Sequence, residues 1–115
     1  MVCKAKLKGY RTVAKIKQVL TKNGYIVSNL EKTGKFVKEK DLWNLWDLIA
    51  IKSKEHLFIQ AKTNMKGHKW KEPYIKFGKM HGSKYVKYEI WNKFDRLYFE
   101  ILNCSTEQHR IERFI

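Results

Sequence analysis

Two neighbouring segments of the sequence carry side chains that suit phosphodiester hydrolysis. Asp47 interrupts an apolar run over residues 42–51, and Gln60 and Lys62 end the next apolar run. Such hydrolysis needs a divalent cation, because the cation neutralises the phosphate and activates a water molecule. Asp47 offers a carboxylate ligand, Gln60 an amide oxygen and Ala61 a backbone carbonyl. Lys62 offers the positive charge that orients the water or stabilises the developing anion.

A β-hairpin would bring these residues together. Residues 46–51 and 56–62 are both strand-like, and a short turn at residues 53–55 favours antiparallel pairing. Side chains alternate between the faces of a strand, so Gln60 and Lys62 share a face with Phe58. By the same rule Asp47, Ile49 and Ile51 share one face, and Trp46, Leu48 and Ala50 the other. Alternatively, both residues have purely structural roles: Asp47 caps the start of a strand, and Lys62 is a solvated residue at a strand end.

The remaining elements indicate a single domain over residues 1–115. Residues 10–23 predict a helix, because Val13, Ile16, Val19 and Leu20 recur at helical spacing and Asn23-Gly24 follows. A helix followed by strands with irregular basic loops is typical of an α/β (α+β) fold with a small mixed sheet. The other expected elements are a strand at 25–28, a loop or hairpin at 29–41, a loop with a short helix at 74–80, a second hairpin from 85–91 and 97–102, and a polar tail at 105–115.

The charge balance indicates a polyanionic partner. Twenty-five Lys and Arg residues against eleven Asp and Glu residues leave a net charge of +14. Such an excess repels itself, and nucleic acid is the commonest partner that relieves the repulsion. Alternatively, the excess of lysine only keeps the protein surface soluble and serves no partner. An anionic membrane would require a basic helix with a free apolar face, whereas the long helix here is needed for the core.

The cysteines and histidines do not form a zinc motif. Cys3 and Cys104 are far apart in sequence, and the four histidines are scattered. We expect free thiols in a reducing compartment, with a disulfide between the two cysteines left open. No signal peptide or transmembrane-length run is present, so an intracellular location is expected.

The segment over residues 9–63 resembles the PD-(D/E)XK nuclease superfamily, with the archaeal-type Holliday junction resolvases most similar. The resemblance rests on four pieces in order: Gly9-Tyr10-Arg11, Gly24-Tyr25-Ile26-Val27, Asp47-Leu48-Ile49-Ala50-Ile51 and Ile59-Gln60-Ala61-Lys62-Thr63. The resemblance implies a restriction-endonuclease-like core, Mg²⁺ or Mn²⁺ as cofactor and DNA, including branched DNA, as substrate. It also implies a homodimer, since two symmetric cuts need two sites.

Two departures from the family pattern bear on activity. The family has a Glu early in the first helix, and that position is Val13 here. Gln60 stands where the family often has an acid, although Gln-Ala-Lys also occurs in restriction enzymes that act on methylated DNA. One formal carboxylate is then left for the cation, which usually takes one or two. Asp41, Glu39 or Glu31 are candidates to replace the missing acid.

Basic residues at and after the candidate site would contact DNA. Lysine contacts to phosphate give affinity without sequence information, and exposed aromatic rings can stack on bases. Trp70, Tyr74 and Phe77 are interleaved with these lysines, and they either stack on bases or pack into the core. We expect the contacts from Arg11, Lys66, Lys69, Lys71, Lys76 and Lys79. The predicted function is a Mg²⁺-dependent DNA endonuclease; the alternatives are an inactive DNA-binding protein on the same fold and an RNA-binding domain of unrelated fold.

Overall fold

The computed structural model describes residues 4–29, 46–94 and 98–113. In these ranges a six-stranded mixed sheet has one helix packed on each face. The predicted α+β architecture is confirmed. The elements in chain order are α1 (Lys4–Lys22), β1 (Ile26–Asn29), β2 (Leu48–Lys52), β3 (Glu55–Thr63), a 3-10 turn (Lys69–Lys71), α2 (Glu72–His81), β4 (Val86–Phe94), β5 (Tyr98–Asn103) and β6 (His109–Arg113).

Helix α1 packs through the apolar stripe that the sequence predicted. Ile16 and Leu20 are buried against the sheet, and Val13 and Val19 pack beside them. The helix begins at Lys4 rather than at residue 10, so the prediction placed its start too late. Gly24 ends it with a φ of 92°, a left-handed conformation that glycine adopts without steric cost.

The sheet follows chain order from β1 to β6. Both predicted hairpins are present, because β2 pairs with β3 and β4 with β5 in antiparallel register. β3 and β4 are parallel, and α2 is the crossover between them. The sequence predicted a short helix at 74–80, inside the observed bounds of α2. Strand β6 was missed, since its residues were taken as a polar tail.

The two faces of the sheet hold separate apolar clusters. Leu48, Leu57 and Ile59 belong to the cluster under α1, whereas Tyr88 and Ile90 belong to the cluster under α2. Trp46 belongs to the α2 cluster, so the prediction that it shares a face with Leu48 and Ala50 is wrong. Strand β2 begins only at Leu48, and the alternation of side chains does not extend back through the bend at Asp47.

Several expectations concern positions outside the described residues. These include the loop or hairpin expected at 29–41, of which only Asn29 is described, Cys3, and the acids proposed to replace the missing carboxylate. Cys104 is described, and it is a buried free cysteine. Within the described ranges, no helix is both long and apolar enough to span a bilayer.

Candidate active site

Asp47 immediately precedes β2 and forms two hydrogen bonds with β3. Its backbone N–H donates to the Ile59 carbonyl at 2.9 Å. Its carboxylate Oδ2 accepts the backbone N–H of Ala61 at 3.1 Å. Because Leu48 pairs with Ile59, Asp47 lies across the hairpin from Gln60, one step beyond the last paired residues. The structure therefore brings the Asp47 carboxylate beside the Gln60–Ala61 segment.

The Gln60 side chain holds an oxygen atom without a hydrogen-bond partner. Gln60 is 7% exposed, and its Nε2 makes a long contact of 3.5 Å to the Ala61 carbonyl. Its Oε1 is buried and accepts no hydrogen bond, which is costly for an amide oxygen. An amide oxygen in that state and a carboxylate bonded to the next residue of the strand are both hard oxygen ligands of the kind that Mg²⁺ or Mn²⁺ takes. Among the described residues, no group of three or more His, Cys, Asp and Glu could hold a metal ion.

Lys62 lies two residues after Gln60 in β3, and its side chain is half-buried. Its Nζ lies 5.8 Å from the centroid of the Trp70 ring. Trp70 packs against the α2 cluster, which places Lys62 on the α2 face of the sheet, as the alternation from Phe58 predicted. The predicted trio thus lies at one end of the β2–β3 hairpin, with Asp47 and Ala61 in direct hydrogen-bond contact.

The N-terminal half of α1 reaches the same end of β3. The hydroxyl groups of Thr12 and Thr63 are 2.6 Å apart, and Thr12 is 1% exposed. Val13 is half-buried and packs against the core, as its place in the apolar stripe predicted. The helix position at which the resemblance in the sequence implied a metal-binding acid therefore carries a packing side chain, close to the end of the strand.

The basic residues predicted to contact DNA differ in exposure. Arg11, Lys66, Lys69 and Lys76 are exposed, so their charges are available to a phosphate backbone. Lys79 pairs with Glu107, and Lys71 is only 9% exposed, with its Nζ over the Trp70 ring. Tyr74 is buried, and Trp70 and Phe77 pack against the same cluster. Tyr74 therefore has a core role, whereas Trp70 and Phe77 are partly buried at the edge of the core.

The observed fold agrees, at the level of the fold alone, with the one that the resemblance in the sequence implied. Among solved structures, it is similar to Hjc from Archaeoglobus fulgidus, a Holliday junction resolvase from an archaeal hyperthermophile. The TM-score is 0.59 at 16% identity, and the match covers 91% of this chain and 88% of that one. No protein-family model matches the sequence, and comparison with curated proteins found no match. The alternative of an RNA-binding domain required an unrelated fold, and the observed fold does not agree with it.

Two contacts at the site were not predicted. The sequence pattern predicted a base-stacking or core role for Trp70 and gave no sign of its contact with Lys62. Asn92 was also missed; it is 4% exposed, and its side chain forms hydrogen bonds with the backbone of Met65, just after β3. A buried polar residue inside an apolar strand is the signal that would have identified Asn92.

Proposed function

We propose that this protein is a divalent-metal-dependent endonuclease that acts on DNA. The observation that carries the proposal is the hydrogen bond from the Ala61 N–H to the Asp47 carboxylate, next to Gln60, whose buried Oε1 has no partner, and one residue before Lys62. Asp47, Gln60 and the Ala61 carbonyl would hold Mg²⁺ or Mn²⁺, which would neutralise the scissile phosphate and activate the attacking water. Lys62 would stabilise the charge that develops on the phosphate oxygens.

Asp47 also has a structural role in this proposal. Its Oδ2 accepts the Ala61 N–H, and this bond limits the motion of the carboxylate relative to β3. A ligand that is fixed before the cation arrives loses less conformational freedom on binding it. The exposed Arg11, Lys66, Lys69 and Lys76 would hold the phosphate backbone around the site.

Branched DNA is the proposed substrate class. The support is the fold shared with a Holliday junction resolvase, together with the net charge of +14. A four-way junction brings several phosphate backbones together, so a strongly basic surface gains more from it than from one duplex. Symmetric cutting of a junction needs two sites, and we therefore propose a homodimer.

A second candidate function is DNA binding without cleavage on the same fold. Val13 packs into the core where the family has an acid, and Gln60 is uncharged. One carboxylate then remains to hold the cation. In this case Lys62 would serve only as a phosphate contact.

Cleavage assays separate the two candidates. The purified protein is incubated with four-way-junction, duplex and single-stranded DNA, with Mg²⁺, with Mn²⁺ or with EDTA. We expect metal-dependent nicking that is fastest on the junction. Tight binding of all substrates without nicking under any metal condition would support the non-catalytic candidate.

A further inference from the structure

One indole ring lies against two lysine side chains at the candidate site. Lys62 Nζ is 5.8 Å from the centroid of the Trp70 ring, and Lys71 Nζ is 5.5 Å from it. Both values lie within the range of about 6 Å over which an ammonium group is attracted to an aromatic face. The ring of Trp70 therefore attracts the lysine that the proposed reaction uses.

Trp70 is itself fixed on two sides. Its Nε1–H donates to the Lys66 carbonyl at 3.0 Å. Its ring meets Tyr74 edge to face, with the centroids 6.3 Å apart. Tyr74 in turn meets Trp46, the residue before Asp47, at 5.6 Å. A row of aromatic rings thus links the segment around Lys62 to the segment around Asp47.

The loop that carries these contacts is tied to the sheet. Asn92 Nδ2 donates to the Met65 carbonyl at 2.8 Å, and Asn92 Oδ1 accepts the Met65 N–H at 3.2 Å. Asn92 lies beside Lys62 in the parallel β3–β4 register. These two hydrogen bonds fix the backbone at Met65, immediately before Lys66. The Lys66 carbonyl accepts the indole N–H of Trp70.

From these contacts we infer that Trp70 is a positioning residue for Lys62, an inference that rests on the proposed function. A free lysine side chain has many rotamers, and a catalytic ammonium group must occupy one of them. The Trp70 face restricts Lys62 without neutralising its charge, whereas a carboxylate partner would pair with the charge that the reaction needs. Trp70 touches neither DNA nor metal in this role and acts through Lys62 alone.

The geometric part is tested without cleavage. The protons on Cε of Lys62 should show an upfield ring-current shift by NMR, with the resonance assigned by its loss in Lys62→Arg. Trp70→Leu should abolish the shift. Trp70→Phe keeps a ring, loses the bond to Lys66 and should retain part of the shift. A Lys62 resonance at the position of an ordinary exposed lysine overturns the inference, whether or not the protein cleaves DNA.

The functional part is tested by steady-state kinetics on the preferred DNA substrate. Trp70→Leu should lower kcat about fivefold with little change in KM, the loss expected for one moderate cation–π contact. Trp70→Phe should recover most of that loss. A matched control is Tyr85→Leu, which removes the ring beside Lys84 Nζ (5.6 Å) at the opposite end of β3 and should leave kcat unchanged.

The outcomes distinguish the two proposals. Unchanged kcat in a folded Trp70→Leu protein overturns the positioning role and leaves the nuclease proposal intact. A rise in KM with kcat unchanged also overturns it and assigns Trp70 to DNA binding. Absence of cleavage by the parent protein overturns the nuclease function, whereas a Trp70-dependent shift of Lys62 would still support the positioning contact.

Discussion

The carboxylate of Asp47 accepts the backbone N–H of Ala61 at 3.1 Å, so the proposed metal ligand is bonded to the strand that carries Lys62. This bond ties the function of Asp47 to the stability of the hairpin. A substitution that removes both the charge and the acceptor would confuse the two roles. Variants that separate the charge from the acceptor are therefore the informative ones.

Asp47→Asn should abolish cleavage and keep the fold, because an amide oxygen can still accept the Ala61 N–H. Asp47→Ala should lose cleavage and also lower the free energy of unfolding by about 1–3 kcal/mol, since the N–H is left without its partner. Lys62→Ala should reduce cleavage by about 100-fold or more, the loss expected for a group that stabilises transition-state charge. DNA binding should be largely retained in all three variants.

Cleavage assays, urea unfolding and DNA titrations on the same preparations check these expectations. Lys54→Ala is a suitable control, because Lys54 lies in the turn at the opposite end of the hairpin. Normal cleavage by Asp47→Asn or by Lys62→Ala would show that the site is placed wrongly.

Affinity for DNA should fall steeply with salt, given the net charge of +14. Each neutralised phosphate on duplex DNA contributes a slope of about −0.9 in log K against log salt. If Lys66, Lys69 and Lys76 each contact one phosphate, the triple alanine variant should have a slope shallower by about 2.7. Titrations from low to high salt measure both slopes. Equal slopes for parent and variant would exclude these lysines as phosphate contacts.

The sequence predicted most of the fold because the relevant signals are local. The stripe of Ile16 and Leu20 fixes the inner face of α1, and alternation fixes the faces of β3. β6 was missed because its side chains are mostly exposed and carry no apolar pattern. Its position comes from pairing with β5, which is a non-local interaction.

The candidate site was predictable only in part, for a related reason. The approach of Asp47 to Gln60 follows from hairpin register, which strand length and turn position fix. The contact of Lys62 with Trp70 depends on how a loop folds back between β3 and α2. That path is set by Asn92, which is distant in sequence, so no local pattern encodes it.

The buried thiol of Cys104 should make stability fall in alkaline solution. Burial raises the pKa of this thiol from 9.0 to about 12. Above pH 9 the unfolded chain releases the thiol proton while the folded chain keeps it, so unfolding is favoured as pH rises towards 12. The limiting slope is about 1.4 kcal/mol per pH unit. Below pH 9 both states are protonated and the thiol contributes no pH dependence.

Urea unfolding from pH 8 to pH 11 of parent and Cys104→Ala measures this effect. Burial also raises the pKa of Tyr25 and of Tyr88, and both act in the same direction. The difference in slope between the two proteins therefore isolates the thiol. Parallel pH profiles would show that Cys104 is accessible in the folded state.

A carboxylate at position 13 should strengthen metal binding at the proposed site. Val13 is half-buried, and its neighbour Thr12 is hydrogen-bonded to Thr63, one residue beyond Lys62. The resemblance in the sequence implied an acid at this position of the helix. Val13→Glu buries a charge without a partner, so the variant should be less stable than the parent by about 1–3 kcal/mol in EDTA.

Added Mn²⁺ should then stabilise Val13→Glu more than the parent, because a ligand that binds only the folded state adds to its stability. When the free Mn²⁺ concentration is ten times the dissociation constant, the free energy of unfolding rises by about 1.4 kcal/mol. Ala14→Glu is the matched control, since it adds the same charge on an exposed position of the same helix. Thermal melts with EDTA and with Mn²⁺ decide the question. An equal metal-induced shift in Val13→Glu, Ala14→Glu and the parent would mean that position 13 is ordinary core and that α1 contributes nothing to metal binding.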